Sequence, residues 1–272
     1  MSVVAAPAAV AGRAPSLARG LRVQARVVGA LVMRELHTRY GRDNIGYLWM
    51  IVEPALLAVS VSALHFGRSS HGQGVDVVGM SLCGYCAFMI FRGVILRAES
   101  TLEANRPLLF HRSVTILDML VARTALEAAS TLATLTLLWT GAWAMNLIPA
   151  PHDLLLMLGA LMILVWLSFA LSLLACAAVH VSRAAAKIIH PVMYMMLPAS
   201  GAFFLLDWLP GPIRRCLVWS PLVQIFELLH AGQFEAAKGE AFNPAYVLGW
   251  CLGTTFLGLV SLKMVRRGVH LG

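Results

Sequence analysis

Long apolar runs separated by short polar segments form the pattern along this chain. A helix needs roughly 20 apolar residues to cross the hydrocarbon core of a bilayer. The runs predict six crossings, at about 45–66, 75–96, 114–147, 154–180, 188–206 and 246–264. Runs such as 154–179 are apolar on every face, whereas the strands of a membrane barrel alternate apolar and polar residues. The pattern therefore predicts an all-α polytopic membrane protein.

Residues 17–40 differ from the crossings because apolar and basic positions fall on opposite sides of a helix. This arrangement is typical of an interfacial amphipathic helix that is attracted to anionic lipid, and a solvated cytoplasmic helix is the alternative. Residues 1–16 are predicted to be a disordered cytoplasmic tail. Residues 17–272 are predicted to form a single transmembrane domain.

Segment 207–240 is too apolar for an ordinary loop, yet its apolar pieces are too short to span a bilayer. The pieces 213–219 and 222–229 each directly follow a proline. We predict two re-entrant helices here, between the fifth and sixth crossings. Backbone at that depth is tolerated only where protein or a water-filled cavity covers it.

Composition supports the membrane assignment, since 59% of the 272 residues are hydrophobic and only 12% are charged. Soluble domains carry roughly 25% charged residues. The net charge of +8 does not indicate nucleic-acid binding, because six crossings put 14 Lys and Arg residues on one side and four on the other. The positive-inside rule then predicts that both termini are cytoplasmic.

Cys83 and Cys86 form a CxxC inside an apolar run and are interpreted as small buried residues.

Catalytic motifs are absent from the sequence, which has no Gly-rich phosphate loop, no HExxH and no GxSxG elbow. We therefore predict no catalytic residue, no metal site and no cofactor bound by this chain.

A proton-coupled transporter needs acidic residues in the middle of its crossings, and only Glu53 comes close to such a position. Arg123 and Glu127 are four residues apart and can pair on one helix face. Arg92 lies deep enough to need an acidic partner, a headgroup or an aqueous cavity. An exporter powered by a separate ATPase fits this pattern best.

Two stretches carry a resemblance to a known family. Residues 33–54, MRELHTRYGRDNIGYLWMIVEP, resemble the opening signature of the membrane subunits of ABC-2-type polysaccharide exporters, especially those of capsule export. Residues 219–234, WSPLVQIFELLHAGQF, are similar to the family's segment after the fifth crossing, with matches at Ser220, Pro221 and Glu227. Length, number of crossings and location of the termini agree over essentially the whole chain.

The resemblance implies a permease that is not itself an enzyme, working in the bacterial inner membrane as a homodimer. A dimer of ABC ATPase subunits would bind ATP and Mg, and a periplasmic co-polymerase or adaptor and an outer-membrane export protein would continue the path. The expected substrate is a lipid-linked capsular polysaccharide. Other ABC-2 exporters, of O-antigen, teichoic acid or a drug, are the close alternative. A membrane enzyme acting on lipid-linked sugars is the alternative from another class, and a passive channel would not need the polar segment 98–113.

There are three groups of candidate residues, and two of them, the coupling segment and the lid, are implied by the resemblance alone. The substrate path is expected to include Arg39, Arg42, Tyr47, Trp49, Glu53, Arg92 and Arg97. A coupling segment at 98–107 is expected to dock on the ATPase through Glu99, Leu102, Glu103, Arg106 and Pro107. A periplasmic lid is expected to contain Trp208, Arg214, Arg215, Trp219 and Glu227. The competing interpretations are interfacial anchoring for the aromatic residues and pairing with an arginine for Glu53. Arg214 and Arg215 suit either an acidic polymer or anionic headgroups.

Overall fold

The structure is a computed structural model that describes residues 17–40, 52, 55–56, 59–60, 74–101 and 114–269. The predicted tail, most of the first crossing and most of the coupling segment lie outside these residues. All regular secondary structure within the described ranges is helical, which confirms the all-α class.

Eight α-helices are present in the described ranges. They are α1 (Leu17–Tyr40), α2 (Val77–Glu99), α3 (Ile116–Ala144), α4 (Leu154–Val181), α5 (Arg183–Ala199), α6 (Gly211–Leu217), α7 (Pro221–Gln233) and α8 (Pro244–Val269). Three helical segments there are long and apolar enough to cross a bilayer: Val78–Glu99, Leu154–Val181 and Pro244–Val265. The fold is that of a multi-pass membrane protein. The total of six crossings and the re-entrant placement of α6 and α7 stay predictions.

Helix starts are set by short polar side chains that satisfy free backbone N–H groups. The Asp76 carboxylate accepts hydrogen bonds from the first turn of α2, and the Asp153 carboxylate does the same for α4. Thr115 and Asp118 form a reciprocal capping box at the start of α3. These caps fix where the helices begin. They therefore also fix which side chains of neighbouring helices lie side by side.

The segment 181–187, which its charges predict to be a loop, is helical except at one residue. Ser182 has extended backbone angles and alone separates α4 from α5. The alanines that follow Arg183 favour helix, and this preference outweighs the polarity of the segment. The fifth helix consequently begins earlier than predicted.

Helix α4 lies at the centre of the bundle, where it packs against α2, α7 and α8, while α1 packs against α3. The core contains Phe88 and Phe91 of α2, Leu164 and Leu173 of α4, and Phe226 of α7, all almost fully buried. Helix α5 differs from these helices, because Met193 is its single buried residue. It lies at the edge of the described bundle.

Candidate functional site

Charged side chains and one histidine, from four helices in all, gather where α2 ends, close to the beginnings of α3 and α5. We call this region the charged end. Its members are Glu35 of α1, Arg97 and Glu99 of α2, Arg123 and Glu127 of α3, and His190 of α5.

Arg123 joins three elements through one guanidinium group. Its Nε lies 3.2 Å from Oε1 of Glu35 on α1, an ion pair that does not have hydrogen-bond geometry. The two N–H groups of its Nη1 are shared by three acceptors: the backbone oxygen of Arg97 at 2.8 Å, Oγ of Ser100 at 3.2 Å and Oγ1 of Thr101 at 2.9 Å. Arg123 is only 9% exposed, so these charge-assisted contacts lie in a poorly hydrated place where they are stronger than in water.

Arg97 forms an ion pair with Glu127, which is itself buried. Gly93, one turn earlier on α2, makes room for this pair, because a Cβ at that position would overlap the Glu127 carboxylate. The structure therefore connects Arg97 to α3 and Arg123 to α1. These contacts between helices were not predicted, since the sequence suggests only the local pair of Arg123 with Glu127.

Arg92 has a different environment, one to two turns deeper along α2. Its guanidinium carbon lies 4.0 Å from the centre of the Tyr194 ring, a cation–π contact. Its buried Nε has no hydrogen-bond partner, and no carboxylate among the described residues pairs with it. The partner is thus an aromatic face, which the sequence-based expectation for Arg92 did not include.

Glu99 is the second residue of the predicted coupling segment, and its Oε1 lies 3.0 Å from Nε2 of His190. This contact joins the end of α2 to α5. The other predicted coupling residues, Leu102, Glu103, Arg106 and Pro107, lie outside the described residues. The same holds for Arg42, Tyr47, Trp49 and Glu53 of the predicted substrate path and for the side chain of Arg39.

At the opposite end of the bundle, residues 206–250 form a unit that we call the aromatic end. The ring of Tyr246 meets the rings of Trp219 and Trp250 edge-on, with centroids 6.3 Å and 6.4 Å away. The Tyr246 hydroxyl donates to the Trp219 backbone oxygen at 2.6 Å. Gln224 donates to the backbone oxygen of Val218 at 2.8 Å and accepts from the backbone N–H of Asn243 at 3.0 Å. An open groove of about 630 Å³ lies along these residues.

Besides Trp219, three of the predicted lid residues make structural contacts at this end. The Glu227 carboxylate accepts a hydrogen bond from the backbone N–H of Leu206 at 2.6 Å. Burial raises the pKa of Glu227, and the bond from Leu206 opposes this rise. Arg214 pairs with Asp207 at 2.9 Å, and Trp208 packs against a small apolar cluster. Arg215 and Trp219 are exposed.

His230 of α7 is a buried polar residue that the predicted site did not include. It is 0% exposed, and its Nε2 lies 3.0 Å from the backbone oxygen of Gly201. Burial lowers the pKa of His230 to about 4, although the hydrogen bond to Gly201 and the nearby Gln233 side chain oppose this. His230 is therefore neutral at physiological pH and links α7 to the turn that follows α5.

Comparison with known proteins identifies the kind of molecule that carries these two ends. The family model for ABC-2 type transporters matches residues 26–234, more than half of the chain. The chain belongs to the ABC-2 type transporter family. The predicted resemblance is thus confirmed.

Curated relatives of this ABC-2 chain match it over almost its whole length. The capsule polysaccharide export inner-membrane protein CtrC of Neisseria meningitidis is 33% identical over 94% of this chain and 97% of the relative. The capsule polysaccharide export inner-membrane protein BexB of Haemophilus influenzae is 32% identical over 93% of this chain and 96% of the relative. The polysialic acid transport protein KpsM of Escherichia coli is 28% identical over 90% and 95% of the two chains.

The predicted groups of site residues are only partly brought together in this ABC-2 chain. Arg97 and Glu99 lie at the charged end, near Arg92, whereas the predicted lid residues lie at the aromatic end. Residues that the predicted site did not include are Glu35, Arg123, Glu127, His190, Gln224 and His230. Charge inside an apolar run was an available signal for Arg123 and Glu127. Glu35, Gln224 and His230 lie inside the two stretches that carry the family resemblance, which was their available signal, whereas no local pattern distinguishes His190.

Proposed function

We propose that this chain is the membrane subunit of an ATP-driven exporter that moves lipid-linked capsular polysaccharide across the bacterial inner membrane. The observation that carries this proposal is the similarity to capsule export inner-membrane proteins, which extends over more than nine tenths of both chains. Similarity along the whole chain supports a shared function more strongly than similarity confined to one domain would.

The proposed assembly is a homodimer of this chain with two ATPase subunits that bind ATP and Mg. A periplasmic co-polymerase or adaptor and an outer-membrane export protein would continue the path of the polymer. In the proposed orientation both termini and the charged end are cytoplasmic, and the aromatic end is periplasmic. The excess of Lys and Arg residues on the side of the termini supports this orientation.

The structure supports a distinction between the two arginines of α2 in the proposed substrate path. Arg97 has a carboxylate partner in Glu127, so its positive charge is compensated. Among the described residues Arg92 meets the face of Tyr194 and no carboxylate, which makes it the better candidate of the two for contact with an anion. We assign Arg92 the contact with an acidic group of the substrate, either on the polymer or on the phosphate of its lipid anchor.

A second contact is proposed at the aromatic end, where exposed Trp219 borders the open groove. Aromatic faces stack on the apolar faces of sugar rings, and the groove also presents the exposed amide of Asn243 and the exposed carboxylate of Glu240. In the proposed lid, Glu227 and the Asp207–Arg214 pair keep the short helices in place. Arg215 is exposed. In this proposal it contacts either an acidic polymer or anionic lipid headgroups.

Removal of the gene from its own bacterium tests this function. We expect surface polysaccharide to disappear and lipid-linked polymer to accumulate inside the cell, and a plasmid copy should restore export. Accumulation of unpolymerised precursor would instead indicate an enzyme of synthesis. Retention of the capsule with loss of O-antigen or teichoic acid would indicate an exporter of that other polymer.

A further inference from the structure

We propose that Arg123 is a positioning residue that mechanically joins the interfacial helix α1 to the first residues of the coupling segment. Movement of that segment by the ATPase would then displace α1. This inference rests on the proposed function, because it requires an ATPase that acts on the segment 98–107.

The contacts of Arg123 are concentrated at one place on α2. Three of its hydrogen-bond acceptors belong to residues 97–101, where the helix ends and the coupling segment begins. Since one planar guanidinium makes all three bonds, a shift of this turn must move Arg123 or break the bonds. Arg123 therefore follows the start of the coupling segment.

The other side of Arg123 faces α1. Its Nε pairs with Glu35, and both side chains are almost buried, with 10% and 13% of their surfaces exposed. Breaking a buried pair leaves an uncompensated charge, which is much more costly than breaking an exposed pair. The pair consequently resists separation, and α1 is expected to move with Arg123.

A second polar contact holds α1 to α3 but has no connection to the coupling segment. Gln24, three turns before Glu35, donates to the Asp118 carboxylate. Asp118 in turn accepts bonds from Thr115 within the capping box of α3. Gln24 thus docks α1 on the body of the bundle, whereas Glu35 connects it to residues 97–101.

These two contacts allow a matched test in the complete complex with its ATPase, reconstituted in lipid nanodiscs. A spin label at exposed Val23 of α1 and another at exposed Leu158 of α4 report displacement of α1 when ATP is added. Glu35→Gln preserves size and removes the charge, leaving the bonds from Arg123 to 97–101 in place. Gln24→Ala is the matched control, because it removes the docking contact alone.

We expect ATP to change the distance between the labels in the unmodified complex and in Gln24→Ala. In Glu35→Gln the change should be lost, with ATP hydrolysis within about twofold of the unmodified complex and export per ATP reduced about tenfold. Arg123→Lys should reproduce the loss, because a single ammonium group cannot reach Glu35 and all three oxygens together.

The inference is overturned if Glu35→Gln retains the ATP-dependent displacement, or if Gln24→Ala loses it to the same extent. It is also overturned if the unmodified complex shows no displacement. Displacement of α1 without transfer of capsular polysaccharide would support the inference and overturn only the proposed substrate, because the distance measurement does not require the polymer.

Discussion

The two ends of the bundle are held together by different interactions. At the charged end, ion pairs connect helices far apart in the sequence, as Glu35 with Arg123 and Arg97 with Glu127 do. At the aromatic end, hydrogen bonds to backbone groups and ring contacts hold the short helices, and the Arg214–Asp207 ion pair there is much more exposed than the pair of Glu35 with Arg123. At the charged end, most of the stabilising interaction energy lies in a few side chains. At the aromatic end it is spread over many backbone contacts. The charged end is therefore suited to transmit movement, and the aromatic end is suited to hold its shape.

Loss of Arg123 should have the largest effect on stability. Arg123→Met removes the ion pair to Glu35 and three hydrogen bonds, and takes a positive charge away from a buried carboxylate. We expect the free energy of unfolding to fall by about 3–5 kcal/mol. Denaturant titration in detergent micelles measures this fall. Exposed Arg215→Met is the matched control and should change stability by less than about 0.5 kcal/mol. Equal effects in the two variants would contradict the role assigned to the charged end.

Acidification should weaken the aromatic end through His230. Its pKa is lowered to about 4 in the folded chain, whereas an unperturbed histidine titrates near 6.5. The unfolded chain therefore binds more protons in this window, so stability falls as the pH drops from 6.5 to 4, by an amount on the order of 3 kcal/mol. Unfolding measured at several pH values should show this loss, and His230→Gln should lack it. A pH dependence that His230→Gln leaves unchanged would assign the loss to other groups.

A side chain at Gly232 should separate α7 from the beginning of α4. A Cβ there would lie 2.6 Å from the backbone nitrogen of Met157, which cannot move easily. We expect Gly232→Ala to lower the free energy of unfolding by about 1–3 kcal/mol, as overpacking does. Gly159→Ala is the control, because its Cβ would meet no described atom within 4 Å. A neutral result for Gly232→Ala would show that the aromatic end tolerates rearrangement, contrary to the comparison above.

Replacement of Arg92 should have the smallest effect on stability and a clear effect on transport. Arg92→Gln removes a cation–π contact worth about 0.5–2 kcal/mol, and it removes the charge proposed to bind an acidic group. We expect the complex to assemble and export to fall about tenfold. A tenfold fall corresponds to a loss of ~1.4 kcal/mol in the free energy of substrate binding. Arg97→Gln, which breaks the pair with Glu127, should instead lower stability and assembly. If Arg92→Gln impairs assembly and leaves export per assembled complex unchanged, Arg92 has a structural role.

The sequence predicted those parts of the fold that follow from continuous apolar runs. Helices α2, α4 and α8 contain such runs, and the two short helices of segment 207–240 were predicted from prolines and length. The length of the break between α4 and α5 was predicted wrongly: the sequence indicates a loop at 181–187, whereas Ser182 alone interrupts the helices, because the alanines after Arg183 are good helix formers. The described helices agree with the predicted class, but contacts between distant helices depend on packing. Neither Glu35 with Arg123 nor Arg92 with Tyr194 has any signature in local spacing.

ATP-dependent transfer of lipid-linked capsular polysaccharide tests the central claim most directly. Inverted vesicles carrying this chain and its partner ATPase would be given the polymer on their outer, cytoplasmic face. We predict that protected polymer accumulates inside only when this chain, the ATPase and ATP are all present. Transfer without ATP, or cleavage of the polymer from its lipid without transfer, would contradict the account.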